Sequence, residues 1–133
     1  MRALAFRLTP GADLRAELER ITQEHGIAAG CILTCVGSLS RARLRMPSMA
    51  DEPAAYAAFD EPMEIVSLAG TLSPDGLHVH IGLSRRDGSC VGGHLVEGCI
   101  VNTTGELVVG ELPNAEFRRW LDPATGCKEL SVD

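Results

Sequence analysis

Three of the four histidines, His78, His80 and His94, lie in the run GTLSPDGLHVHIGLSRRDGSCVGGHLVEG from Gly70 to Gly98. Leu77 to Ser84 alternates, with Leu77, Val79, Ile81 and Leu83 on one side and His78, His80, Gly82 and Ser84 on the other. That period-two pattern marks a half-buried strand, so His78 and His80 share a face. Ser73-Pro74-Asp75-Gly76 and Arg85-Arg86-Asp87-Gly88 have turn chemistry at its two ends. The chain then returns through Cys90-Val91-Gly92-Gly93-His94, which can carry a third imidazole to the first two. Three neutral imidazoles suit a borderline-soft divalent ion such as zinc and leave a fourth position for water, a carboxylate or a substrate. The plainer reading of the same residues is a surface or interface pair, with His94 in an unrelated loop.

The elements that must position these residues read as follows. Arg2 to Leu8 alternates as a first strand. Asp13 can cap a helix that runs to about His25, with Leu14, Leu18 and Ile21 on one stripe and Gly26 as its stop. His25 is then a helix-end residue favoured by the dipole and no ligand. Ala28 to Val36 is a small-apolar run expected to be a strand buried on both faces, broken at Gly37-Ser38. Ser40 to Met46 resumes with Arg41, Arg43 and Arg45 on one face, either a solvated edge or an anion-binding stripe. Pro47 to Pro62 reads as a loop or irregular insertion anchored by Tyr56 and Phe59. Strands are expected at Met63 to Leu72, at Glu97 to Asn102 and Glu106 to Leu112 around Thr103-Thr104-Gly105, and at Phe117 to Leu121 with a last one ending at Val132. Many strands and one helix predict an α+β fold with a central, mostly antiparallel sheet flanked by that helix, in a single domain over residues 1–133.

Composition narrows the function. The formal net charge is −6, and the basic residues form no cluster beyond Arg41-x-Arg43-x-Arg45. Binding a polyanion rests on neutralising phosphates with Lys and Arg, so direct DNA binding by this acidic chain is not expected. The five cysteines are odd in number and lack C-x-x-C spacing, which predicts reduced, mostly buried thiols. No apolar run reaches the length of a membrane span, and MRALAFRL is too short and charged for a signal peptide. The expected location is the cytoplasm. No Walker or Rossmann glycine loop is present, because Gly92-Gly93 falls between strands.

The central run resembles the signature of the plant and prokaryote conserved domain, abbreviated PPC or PCC. It carries the Asp-Gly turn, His-x-His, a Ser-containing strand end and Gly-Gly-His-Leu. The likeness extends to Gly37-Ser38-Leu39, Glu64-Ile65-Val66-Ser67-Leu68, Glu106-Leu107-Val108-Val109 and Asp122-Pro123-Ala124-Thr125-Gly126. The resemblance implies an α+β fold similar to that of acetolactate decarboxylase, a homotrimer, and a zinc ion on His78, His80 and His94. Plant members carry the domain beside AT-hooks and use it for assembly with other proteins; bacterial members are described as DNA-binding by analogy. This chain has no Arg-Gly-Arg-Pro core and no basic tail. The leading expectation is therefore a zinc-binding, trimeric module with a DNA-associated or regulatory role exercised through assembly and protein partners. An alternative is a zinc-dependent enzyme on a small carbonyl or carboxylate substrate. Glu64 and Glu97 are then its acid/base candidates, Glu64 the preferred one, with Ser38 and Ser84 as substrate contacts. A second alternative is a metal-free interaction protein.

Overall fold

A computed structural model describes all residues from Met1 to Asp133. Nine strands and one helix follow in the order β1 (Arg2–Leu8), α1 (Leu14–Glu24), β2 (Gly30–Met46), β3 (Ala55–Phe59), β4 (Met63–Ser73), β5 (Gly76–Ser84), β6 (Cys90–Leu95), β7 (Ile100–Glu111), β8 (Phe117–Leu121) and β9 (Lys128–Val132). Every strand pairing is antiparallel, and the main sheet runs β1-β7-β2-β4-β5-β6 with β3 on β2. The α+β expectation is met. The helix begins and ends where its caps predict: the Asp13 carboxylate accepts from the Ala16 amide, and His25 follows Glu24 at the C-cap. No helix is long and apolar enough to cross a membrane.

The sheet closes on itself. β3 and β4 follow one another along one edge of β2, through Leu44↔Ala57 and Leu39↔Met63. β7 and β6 follow one another along the other edge, through Leu39↔Val101 and Leu44↔Leu95. Because β6 also pairs with β5, and β5 with β4, the strands β2-β4-β5-β6 form a ring. Inside it one apolar cluster joins Leu14, Leu18 and Ile21 of the helix to Leu39, Leu44, Leu72, Val79, Ile81, Leu83, Leu95 and Leu107. The two-residue period of β5 thus turns Val79 and Ile81 inward and leaves His78 and His80 on the outer face.

Several expectations are corrected. Ala28–Val36 and Ser40–Met46 belong to the one strand β2, with bulges between Ile32 and Thr34 and around Leu39. Gly37 is no break: at φ +152° it lies so close to β7 that an added Cβ would stand 1.9 Å from the Thr104 carbonyl oxygen. Nor is the strand buried on both faces, since Leu33 and Val36 are exposed on the outer one. The Thr103-Thr104-Gly105 segment likewise interrupts nothing, because Gly105 pairs with both Leu8 and Gly37 inside the single strand β7. The Pro47–Pro62 segment contains β3, whose alanines hide strand character that pairing with Ala42–Met46 enforces. All five cysteines are free, but against the expectation of mostly buried thiols only Cys35 and Cys99 are buried, Cys31 being half-buried and Cys90 and Cys127 exposed. Burial, assisted by Glu106, pushes the Cys35 thiol up to about 11, so it stays protonated at neutral pH.

Gly37→Ala is expected to lower unfolding stability by about 2 kcal/mol or more, combining the positive φ with the clash at Thr104. A urea midpoint unchanged from wild type would show that β2 and β7 can separate there at no cost.

Candidate metal centre

The ring brings together residues that are distant in the chain. His80 of β5 is the register partner of Ala69 on β4 and of His94 on β6, and His94 is in turn the partner of Arg45 on β2. Directly paired residues of antiparallel strands project on the same side, so Ala69, His80, His94 and Arg45 make one row across the outer face. His78 joins from two residues along β5. Gly93 lets β6 fit against β2, because a Cβ there would stand 2.8 Å from the Arg45 carbonyl oxygen. Gly92 does the same against β5, at 2.7 Å from the carbonyl oxygen of Ile81.

The three imidazoles converge. His78 Nε2 and His80 Nε2 are 3.2 Å apart, and one nitrogen from each of the three rings lies within 4.8 Å of the others. The His80 and His94 ring centroids are 4.4 Å apart, and His78 stacks on His94 at 5.2 Å. Two nitrogens on a tetrahedral ion with bonds of ~2.0–2.1 Å would be roughly 3.3 Å apart, so the His78–His80 spacing needs almost no adjustment. Burial, then the neighbouring His80 and Arg119, holds the His78 pKa below its ordinary value; Glu129 and Arg45 act in opposite senses on it. Burial, then Arg45 and the other two histidines, does the same for His94. Both effects favour the neutral form, the one that can donate a lone pair to a cation.

A cleft of about 340 Å³ opens beside the row, where β5 and β6 diverge next to the helix. His78 and His94 line it with Arg15, Arg45, Glu19 and Glu97. Arg15 is already committed, to the Glu19 carboxylate at 2.8 Å and the Leu95 carbonyl at 3.2 Å. The two carboxylate candidates stand at different distances from the row. Glu64 pairs with Ser38 and Ser84, five residues along β4 from Ala69, which is roughly 16 Å at 3.3 Å per residue. Glu97 stands exposed on the cleft wall. Ser38 is buried against Thr103, and Ser84 is directed at the Arg85 carbonyl, so neither hydroxyl belongs to the cleft.

Two groups at the centre were not foreseen as parts of it. Arg45 donates to His94 Nδ1 at 3.2 Å, a contact whose only sequence signal was the alternation of Arg41, Arg43 and Arg45. Arg119, on the β8–β9 hairpin, donates from Nη2 to the Thr71 hydroxyl at 2.9 Å, and Thr71 is the register partner of His78. The Arg119 Nε is buried without a partner. Nothing in the spacing of the tail announces that reach.

Comparison with known proteins agrees with this architecture. The model of the Plants and Prokaryotes Conserved (PCC) domain matches residues 1–113. The chain belongs to this family. It is 42% identical over all of its 133 residues to the bifunctional protein GlmU of Synechococcus sp. strain JA-3-3Ab, of which the match covers 21%. The chain thus spans about a fifth of the length of the curated relatives it matches. Among solved structures it resembles a hypothetical protein from Salmonella enterica, with 37% identity, a TM-score of 0.91, and coverage of 99% of this chain and 93% of that one. It also resembles a metal-containing protein from Archaeoglobus fulgidus, with 27% identity, a TM-score of 0.87, and coverage of 98% and 94%. A Staphylococcus aureus protein similar to α-acetolactate decarboxylase shares the fold more loosely, at a TM-score of 0.55, over 85% of this PCC chain and 54% of its own.

The lowered imidazole pKa values of this PCC domain set a pH dependence. Between the lowered native values and the ordinary value near 6.5, the unfolded chain binds more protons than the folded one, so stability rises with pH across that window. Metal-free protein is therefore expected to lose stability on acidification from about pH 7 to pH 5 more steeply than a His78→Asn/His94→Asn variant. Parallel urea midpoints for the two proteins would show that these histidines are not neutral by virtue of the fold.

Proposed function

We propose that this PCC-domain protein binds one zinc ion through His78, His80 and His94 and uses the ion's remaining position for an exogenous ligand. The convergence of three ligand nitrogens on the outer face carries this reading. Its support is chemical as well as geometric: the donors are all imidazoles, two of them biased toward the neutral state. A metal-containing relative of the same fold adds to it. Zinc held by three protein ligands supplies a Lewis acid that can polarise a carbonyl or lower the pKa of bound water. The chain's own residues supply the rest. The row through β4, β5, β6 and β2 orients the imidazoles, the adjoining cleft admits a small ligand, and Glu97 is the carboxylate at hand on its wall for proton transfer. This favours the reading of a zinc site that handles a small carbonyl or carboxylate compound.

Assembly is the second part of the proposal. Leu33 (48% exposed) and Val36 (59%) of β2 and Val66 (58%) of β4 leave apolar side chains on the outer face, which a stable soluble form must cover. A homotrimer covers them by setting these strands of each copy against a different surface of the next. Direct DNA binding fits less well: net charge is −6, and Arg2, Arg15, Arg20, Arg85 and Arg118 are all engaged with carboxylates.

Elemental analysis of untagged protein is expected to find about one zinc per chain, and none in the His78→Ala/His80→Ala/His94→Ala variant. Wild type that remains metal-free after zinc loading and washing would end the metal reading. Sedimentation equilibrium is expected to give a trimer mass for wild type and a smaller species for Val36→Asp/Val66→Asp; a monomeric wild type would remove the assembly proposal.

A further inference from the structure

Arg45 donates to His94 and Arg119 to Thr71, the register partner of His78, and neither guanidinium forms an ion pair with a carboxylate. Arg45 instead donates to the imidazole nitrogen Nδ1 of His94. A guanidinium has donors only, so that nitrogen must offer its lone pair, and in the neutral ring the proton then resides on Nε2. This arrangement cannot persist when His94 ligates a cation. Ligation through Nδ1 consumes the lone pair that Arg45 uses. Ligation through Nε2 moves the ring proton to Nδ1, which leaves donor facing donor. In both cases Arg45 loses its acceptor.

Arg119 presents a related deficit. Its Nη2 is satisfied by Thr71, and its backbone amide donates to Asp75 at 3.1 Å. Its Nε remains buried with no acceptor, an uncommon and unfavourable state for a charged group. The acidic residues nearby do not remedy either shortage. Glu19 is taken by Arg15, and Glu129 accepts from the Thr125 hydroxyl at 3.0 Å. Glu97 shares the cleft with Arg45 but is not ion-paired with it. With a divalent ion on the three neutral imidazoles, the centre holds a clear excess of positive charge, an Arg45 guanidinium without its acceptor and an Arg119 Nε–H without one.

We infer that the centre is built for a small organic carboxylate, taken up together with the metal, whose carboxylate is held by Arg45 and Arg119 while a neighbouring oxygen completes the metal's coordination. This rests on the zinc reading above and deepens it, by narrowing the ligand to a carboxylate, by assigning the groups that hold it and by coupling its binding to metal occupancy through Arg45. A planar guanidinium matches a carboxylate with two parallel N–H···O bonds; Arg45 lines the 340 Å³ cleft, which suits a molecule of a few carbons, and Arg119 approaches from the hairpin at Thr71, beside His78. Arg45 therefore has two states. It restrains His94 in the metal-free protein and turns to the anion in the loaded one.

The test is calorimetric titration of metal-free and zinc-loaded protein with oxalate, and separately with inorganic phosphate at matched ionic strength, with zinc content measured on each sample. Oxalate should bind the zinc-loaded wild type and bind the metal-free form far more weakly. Arg45→Gln and Arg119→Gln should each weaken oxalate by about tenfold or more with zinc retained, as expected for loss of a charge-assisted pair. Arg45→Gln should also hold zinc at least as tightly as wild type when no anion is present, because a competitor for His94 is gone. Arg119→Lys, which keeps the charge and the Thr71 contact within reach, guards against a merely displaced hairpin and should fall between wild type and Gln. Oxalate affinity unchanged in both Gln variants, or equal with and without zinc, overturns the inference; binding of phosphate in preference to oxalate overturns the carboxylate class. If wild type takes up no zinc, the metal reading fails by itself. The arginine pair then stands only if metal-free protein binds oxalate in a manner lost in Arg119→Gln, and falls if it does not.

Discussion

The pairing of β6 with two strands at once is the constraint on which the rest depends. Its residues Gly92 to His94 hydrogen-bond across to β5, while His94 and Leu95 continue onto β2. This needs backbones closer than side chains would permit, and Gly92 and Gly93 provide that closeness where any Cβ would strike a carbonyl oxygen. Once β6 is shared, the ring is closed and His94 has no freedom to choose its neighbours. His80 is across from it on one side and Arg45 on the other. The histidine cluster is a consequence of closure, and its imidazoles are positioned by ladder register.

Closure also divides the two faces by function. The inner face is filled by leucines, valines and the helix stripe of Leu14, Leu18 and Ile21, which fixes strand register because a one-residue slip would expose that whole set. The outer face is thereby free to carry groups that would be costly inside. Three imidazoles and two guanidiniums stand there, partly shielded by each other and by the β8–β9 hairpin. The partial burial is enough to hold His78 and His94 toward neutrality without denying an ion access. A deeper site would hold neutral histidines too, but it would make the approach of a hydrated cation slow and expensive.

What could be read in the sequence follows the range of the interactions. Alternation in Leu77–Ser84 revealed β5 and the shared face of His78 and His80, because a strand's period is local. Asp13 and Gly26 marked the helix for the same reason. The continuity of β2 through Gly37 and of β7 through Thr103–Gly105 was hidden, since a glycine or a threonine pair signals a turn unless a distant strand supplies the ladder bonds. β3 was hidden by alanines that become a strand only against Ala42–Met46. The approach of His94 to His80 could be suspected from Gly92-Gly93, but the identity of its other neighbour, Arg45, depends on how a sheet closes and has no local signature. Glu64 and Glu97 illustrate the limit: side-chain chemistry marks both as acid/base candidates, and strand register alone separates the one on the cleft from the one far along β4.

The division between residues 1–113 and the tail adds a further argument. Arg45, His78, His80 and His94 all lie inside the stretch that the PCC domain describes, whereas Arg119 and Glu129 lie beyond it. The hairpin that bears them is tied to the body by a few specific contacts: Phe117 N–H on the Ala28 carbonyl, the Arg119 amide on Asp75, and Arg119 on Thr71. A domain arranged this way can keep its imidazoles fixed while the tail alters the charge and shape presented to the ligand. The histidine cluster thus lies wholly within the matched residues 1–113, and the proposed grip on an anion draws in addition on the hairpin that follows them.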